Sequence, residues 1–374
     1  MRSDSNSNSV PPKLVRGHRM AKHRVTKRTF VLLILFPLLS VSAAHATFSI
    51  VGYDPETKEW GVAVASRQVA VGAGVPWAQA GSGAVAVQAR MDPKIGRDGL
   101  AMMKAGFTAE QTMAALMSRD DELQQRQFAL IDVQGGVAAF TGDTLPSFAG
   151  DRQGEYFSVQ GNILAGEDVL LEMERAYLEI KGPLALRLLM ALQAGNQAGG
   201  DRRGRQSAAL ILARAESDYG GVTDRMIDLR VDNDPDAVNE LIDVFAGWTS
   251  QVTVFTYLKS ADAPDRKRGV TLMDWVLERE EAKEQPDAQF FNLMARIMSF
   301  QRIMPAKALE IALRADELSP DNPSIMDTVA EAYRAAGDVD SGIEWLRKAL
   351  ELVPESQYYK DRLSSFEAYR DTDS

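Results

Sequence analysis

The chain has no cysteine and three histidines, His18, His23 and His45, all within its first 46 residues. Its longest apolar run is Phe30 to Leu39, extended weakly to Ala44. Each scarcity excludes something. Without cysteine there is no disulfide and no Cys-His dyad. Beyond residue 46 there is also no imidazole, so a Ser-His-Asp triad, a zinc site built on Cys or His, and a haem held by either are excluded there. The apolar run is shorter than the roughly 20 residues a membrane span needs. Catalysis in such a chain falls to carboxylates, Lys, Tyr, Ser, Thr, Arg or a chain terminus.

The short apolar run has the surroundings of a secretory signal. Arg19, Lys22, Arg24, Lys27 and Arg28 precede it, and "AHA" (44–46) follows it as a small-x-small cleavage pattern. The expected maturation is cleavage after Ala46, which places the product in the periplasm or outside the cell. Counted from Met20, the basic region has ordinary length. The alternative is an uncleaved signal that anchors the protein to a membrane. Removal takes eight of the 42 basic and one of the 52 acidic residues, so 34 against 51 remain, a net charge of −17. That excess argues against nucleic acid or anionic lipid as the main partner.

From Thr47 onward the composition, 45% apolar and 25% charged over the whole chain, is globular. "TFSIVGYD", the turn "PETK" and "EWGVAVASR" read as a hairpin over 47–67, with Phe48 and Ile50 on one face and Thr47, Ser49 and Val51 on the other. Another strand is expected near 83–89. Helices follow over 97–106 and 108–118, the second with Thr108 and Gln111 at capping-box spacing. "RQFALIDV" and "VAAFTG" form a second hairpin, and "YFSVQGN" another strand. Two amphipathic helices, "AGEDVLLEMERAYLEI" and "GPLALRLLMALQAG", lead to the strands "QSAALILAR" and "MIDLRV". The order predicts an α+β layered domain, an antiparallel sheet pair covered by helices, over 47–250. Residues 251–285 read as a charged linker with some helix.

Residues 286–374 are helical and periodic. Pro320 and Pro354 lie 34 residues apart, the tetratricopeptide period. On that alignment Ala308 and Ala315 match Gly342 and Ala349, and Ser299 stands where Tyr333 stands in the second copy.

Several stretches could carry chemistry. Cleavage after Ala46 would give Thr47 a free α-amine beside its hydroxyl. Such an amine titrates at about 7.7–8.0, near the pH at which a general base works. Threonine activated by its own terminus is an established nucleophile. The plain reading is a common residue left by a signal peptidase. "GGDRRGRQSAAL" (199–210) is a Gly-rich turn whose Arg202, Arg203 or Arg205 could hold a carboxylate bidentately, or it is a solvated loop. Asn162 in "VQGNIL" could donate to an oxyanion, or could cap the next helix. Ser66 and Arg67 end the second strand and could lie beside the terminus, and Gln88 ends the next strand similarly. Asp232, Asp234 and Asp236 lack metal-loop spacing and read as an acidic cap on the helix from Pro235.

Together, "TFSIVGYDPETKEWGVAVASR", "AVGAGVPWAQAGSGAVAVQA", "VQGNIL", "GGDRRGRQSAAL" and "DLRVDNDPDAVNEL" resemble the family catalogued as domain of unknown function 1028, over roughly Thr47 to Val244. That family is grouped with the N-terminal-nucleophile (Ntn) hydrolases. The resemblance implies a four-layered αββα sandwich and an amide-bond hydrolase with Thr47 as nucleophile. By position it implies Ser66, Arg67, Gln88, Asn162, Asp201, Arg202, Arg203, Gln206 and Ser207 as pocket residues, with no metal and no cofactor. The chain departs from the family at Asp234, where members often carry His. A peptidoglycan-binding C-terminal segment described for some members does not carry over to tetratricopeptide-like repeats. The implied partners are a small amide or peptide substrate, a protein or peptide held by the repeats, and a second copy of the chain. The competing reading is a non-catalytic ligand- or protein-binding module on the same scaffold.

Overall fold

The computed structural model describes residues 46–215, 223–250 and 254–373. The signal segment before Ala46 lies outside them, as do residues 251–253 of the expected linker. In chain order the strands and helices are β1 (Thr47–Asp54), β2 (Glu59–Ser66), β3 (Pro76–Gln79), β4 (Gly83–Ala89), α1 (Pro93–Lys104), α2 (Ala109–Met117), β5 (Arg126–Ile131), β6 (Val137–Thr141), β7 (Phe148–Gly154) and β8 (Phe157–Leu164). Then come α3 (Asp168–Glu179), α4 (Leu184–Gln197), β9 (Ser207–Ala213), β10 (Arg225–Val231), α5 (Ala237–Trp248), α6 (Val254–Leu258) and α7 (Ala263–Glu281). The chain ends in α8 (Ala288–Phe300), α9 (Pro305–Leu318), α10 (Pro323–Ala335), α11 (Val339–Leu352) and α12 (Gln357–Asp373).

Two antiparallel sheets form, a six-stranded one in the order β10-β9-β2-β1-β8-β7 and a four-stranded one in the order β3-β4-β5-β6. Period-two alternation decides what each face meets. Val51, Val62, Val64, Ala209 and Ile211 of the large sheet pack on Ala84, Ala86, Ala129 and Ile131 of the small one. The alternate residues of the small sheet, Val85, Val87, Phe128 and Leu130, meet Ile95, Leu100, Met103 and Met113 of α1 and α2. The outer face of the large sheet, with Phe48, Ile50, Ala63 and Ala65, meets Met173, Leu188 and Leu192 of α3 and α4. Helices thus cover both outer faces of a sheet pair, and an all-helical region follows.

That outer core continues into the helical region. Leu241, Phe245, Tyr257, Leu272, Met273, Met294 and Ile311 belong to the same buried cluster. The stretch expected as a linker with some helix holds α6 and α7, with Leu272 and Met273 fully buried. Ion pairs explain its charged sequence. Arg214 bonds Asp265 of α7 at 2.7 and 3.3 Å and reaches Glu59 at 3.3 Å, while Tyr257 donates to the Glu59 carboxylate at 2.6 Å. Arg268 bonds both Asp54 carboxylate oxygens at 3.0 and 2.9 Å and Glu56 at 2.9 Å. These pairs tie α6 and α7 to the turn end of the β1–β2 hairpin. Burial drives the Glu59 carboxyl above its ordinary value, against the pull of Tyr257 and Arg214. Burial also pushes Asp265 up, but the hydrogen bonds from Arg214 outweigh it and hold that carboxyl low.

The repeat pattern has a structural counterpart. α8 packs on α9 and α10 on α11, and Ala308, Ala315 and Ala349 at the matched positions are fully buried. A Cβ on Gly342 would lie 2.9 Å from the Ala330 carbonyl oxygen, so the small residue is demanded there by helix contact. Among the described residues no helix is long and apolar enough to cross a membrane.

Candidate functional site

Thr47 opens the central strand β1. It stands opposite Ser66 of β2 and Asn162 of β8, and Ser66 stands opposite Ser207 of β9. Directly opposed residues share a face, so four polar side chains form a row across one end of the large sheet, on the side of the small sheet. All are buried: Thr47 is 1% exposed and Asn162 0%.

Two donors converge just before Thr47. The Thr47 hydroxyl donates to Ser66 Oγ at 3.1 Å, and Ser66 Oγ donates to the Ala46 carbonyl oxygen at 2.5 Å. Arg203 Nη2 donates to the same carbonyl at 2.9 Å. Arg203 is aimed by Asp201, which accepts from its Nη2 at 2.9 Å and its Nε at 3.2 Å in a two-point grip. Asp201 also accepts the backbone N–H groups of Arg67 at 2.7 Å and Arg203 at 2.9 Å. The exposed Arg67 completes the loop by donating to the Arg203 carbonyl at 2.7 Å.

The local sequence explains this placement. Asp201 bridges to Leu164 at the end of β8, and the Arg202 N–H donates to the Ile163 carbonyl at 3.0 Å. Gly200 has φ 50°, and a Cβ there would lie 2.9 Å from Phe48 Cε1. Only glycine lets the loop turn so close to β1. Ile163, next to Asn162, also has a left-handed backbone, φ 51°, a costly conformation for a β-branched residue. Such strain clusters where surrounding structure enforces a site.

Behind the row lies a polar network between the two sheets. Gln88 accepts from Ser49 Oγ at 2.8 Å and donates to Gln127 Oε1 at 2.7 Å and to the Thr47 carbonyl at 3.4 Å. Gln160 donates to Ser49 Oγ at 2.6 Å, and Ser158 donates to Gln160 Oε1 at 2.9 Å. Asn162 Nδ2 donates to Gln127 Oε1 at 3.0 Å, so the donor expected for an oxyanion is already engaged, and no helix is capped by it. Its Oδ1 is buried without a hydrogen-bond partner among the described residues. Sequence reading missed Ser49, Gln127, Ser158 and Gln160. The available signal was polar residues at inward-facing strand positions, where Val51 and Ala129 are apolar.

Of the ten residues expected at the site, Thr47, Ser66, Asn162, Asp201 and Arg203 gather around the start of β1. Gln88 adjoins them from the small sheet, and Arg67 from the loop. Ser207 lies in the row, but its hydroxyl holds the 68–71 loop: it donates to the Gln68 carbonyl and accepts the Val71 N–H at 3.0 Å. The Gln206 side chain turns to Asn233 at 3.0 Å. Arg202 is exposed and joins the site through its backbone alone among the bonds described. In the acidic stretch, Asp234 accepts the Asp236 N–H at 2.6 Å, which closes the turn before α5.

The molecule is thus an α+β protein of two facing sheets with an all-helical extension and a buried, donor-lined threonine at the head of its central strand. Residues 47–241 match the model of the family of unknown function DUF1028, and the chain belongs to that family. A crystal structure from the same family, protein SPO2555 from Silicibacter pomeroyi, is similar to this chain at 30% identity and a TM-score of 0.50. The similarity covers 55% of this chain and 86% of that one. No curated protein matches the chain.

Proposed function

We propose that this protein is an exported amide-bond hydrolase of the N-terminal-nucleophile type, with Thr47 as nucleophile once the residues up to Ala46 are removed. The sheet pair between helical layers agrees with the αββα sandwich of that class. The observation that carries the reading is the convergence of Ser66 Oγ and Arg203 Nη2 on the carbonyl immediately before Thr47, within reach of its hydroxyl. Removal of Ala46 vacates that carbonyl. A substrate carbonyl then takes its place between a hydroxyl donor and a guanidinium, the kind of fixed donor pair that stabilises an oxyanion.

In the proposed reaction the α-amine of Thr47 takes the proton from Oγ1. Oγ1 bonds to the substrate carbonyl carbon, and negative charge moves to its oxygen, facing Ser66 and Arg203. The C–N bond breaks as the ammonium returns the proton to the leaving nitrogen. Water, deprotonated by the same amine, then cleaves the resulting ester, releases the acid and restores the hydroxyl. Arg203 has a second effect: its charge beside the new terminus disfavours the ammonium and keeps the amine available as a base. Asn162 on the neighbouring strand and Gln127 and Gln88 on the opposite sheet fix the threonine's surroundings.

The test is hydrolysis of a panel of small amides and dipeptides by the processed protein and by Thr47→Ala. Turnover that Thr47→Ala removes supports the reading. Turnover that survives the substitution, or a full biological phenotype without Thr47, favours a binding module instead.

A further inference from the structure

A second constellation lies at the other end of β1, beyond the hairpin turn. A cavity of about 300 Å³ opens there, lined among others by Tyr53, Asp54, Tyr156, Lys181, Arg187 and Arg268. That is the lower end of the volume range of small-molecule sites. Its charges are unevenly committed. Arg268 is engaged by Asp54 and Glu56. Arg187 is half-buried and has no carboxylate partner among the described residues; its guanidinium is stacked 4.1 Å above the ring of the buried Tyr177.

That arrangement is unusual on two counts. A half-buried cation ordinarily finds an acid. Arg187 also occupies the first turns of α4, where the helix dipole opposes positive charge and no acidic residue compensates. Stacking recovers part of the cost and fixes the guanidinium plane, which leaves its edge donors available. Lys181 stands at the exposed rim, and among the described residues its ammonium bonds the Leu178 carbonyl alone, at 3.3 Å. Arg268 Nε, buried in the same wall, has no acceptor among the described residues. The three cations against Asp54 and Glu56 leave the lining with an excess positive charge, beside the paired rings of Tyr53 and Tyr156, whose centroids are 5.9 Å apart.

We propose that this cavity is a binding site for a compact organic oxyanion, held by the edge of the Arg187 guanidinium with Lys181 at the rim and its carbon body against Tyr53 and Tyr156. Carboxylate and phosphate both suit a planar guanidinium fork. The site is independent of Thr47, which lies at the opposite end of the strand.

Calorimetric titration of the full chain at low salt tests it, with succinate, benzoate and inorganic phosphate as probes. At least one probe should bind saturably in the millimolar range or tighter. Arg187→Met should weaken that binding at least tenfold, and Arg187→Lys should weaken it less, because charge remains while the fork is lost. Thr47→Ala and the remote Arg347→Met should bind as the parent does. Preference among the probes distinguishes a carboxylate from a phosphate ligand. Circular dichroism of the Arg187 variants checks their fold; Arg187→Lys, which keeps the charge, carries the test if Arg187→Met does not fold. No saturable binding of any probe, or binding that both Arg187 variants leave unchanged, overturns the proposal.

Discussion

Thr47 combines two properties: it follows a cleavage pattern, and it sits buried at the head of a central strand. The first was legible in the sequence, helped by the missing histidine and cysteine. The second needed the fold, because register alone brings Ser66 and Asn162 to its sides. Arg203 was one of three candidate arginines. What selects it is the Asp201 grip, which no spacing reveals. Gln127 and Gln160 left only the weak signal of a polar residue at an inward-facing strand position, because a buried glutamine looks in sequence like a surface one. Arg203→Met should lower kcat by about 10²-fold or more, the usual cost of one oxyanion donor. The rising limb of the pH–rate profile should also move to higher pH in that variant, since the terminal amine loses its neighbouring cation. An unchanged limb would separate Arg203 from the amine.

Elements with strong local signals were read closely from sequence. β4 was expected near residues 83–89 and spans Gly83–Ala89, and the Thr108–Gln111 capping box closes in both directions, at 3.2 and 3.1 Å. Thr108→Ala should therefore cost about 1 kcal/mol in denaturant unfolding, and Thr108→Ser should recover most of it. β7, "FAGDRQG", was not legible. It is an edge strand with little apolar alternation, paired through β8 alone. α7 was hidden differently: its stretch read as a charged linker with some helix, yet Asp265 pairs with Arg214 after β9 and Arg268 with Asp54 of the hairpin. Gly83 makes a sharper element-level prediction. Its φ is +139°, and a Cβ would lie 2.2 Å from the Ile131 carbonyl oxygen. Gly83→Ala should destabilise by about 2 kcal/mol or more, measured by thermal or denaturant unfolding, because β4 must shift away from β5.

For the whole molecule, the ion pairs at the hairpin turn join the sheet domain to the helices. The Glu59 carboxyl is raised by burial, so its folded-state value exceeds its unfolded one. Its contribution is fully present below the unfolded carboxylate range and is lost as pH rises through the folded value. Asp265, held low, behaves oppositely: its contribution is present above the unfolded range and is lost as pH falls through the folded value. Glu59→Gln should therefore remove the loss of stability on the alkaline side of the carboxylate range and leave the acid limb in place, as followed by thermal unfolding across pH. Arg214→Met strands Glu59 and Asp265 without their cation. It should cost about 3 kcal/mol or more, the scale of a broken buried pair.

In the proposed reading, maturation makes the active site by exposing the Thr47 amine. The decisive measurement is intact-mass analysis of the protein recovered from cells that express the full chain, before and after treatment with a threonine-directed electrophile. The expected product is a chain that begins at Thr47 and takes up one label, on that residue. A chain that begins elsewhere, or label that Thr47→Ala leaves in place, would contradict it.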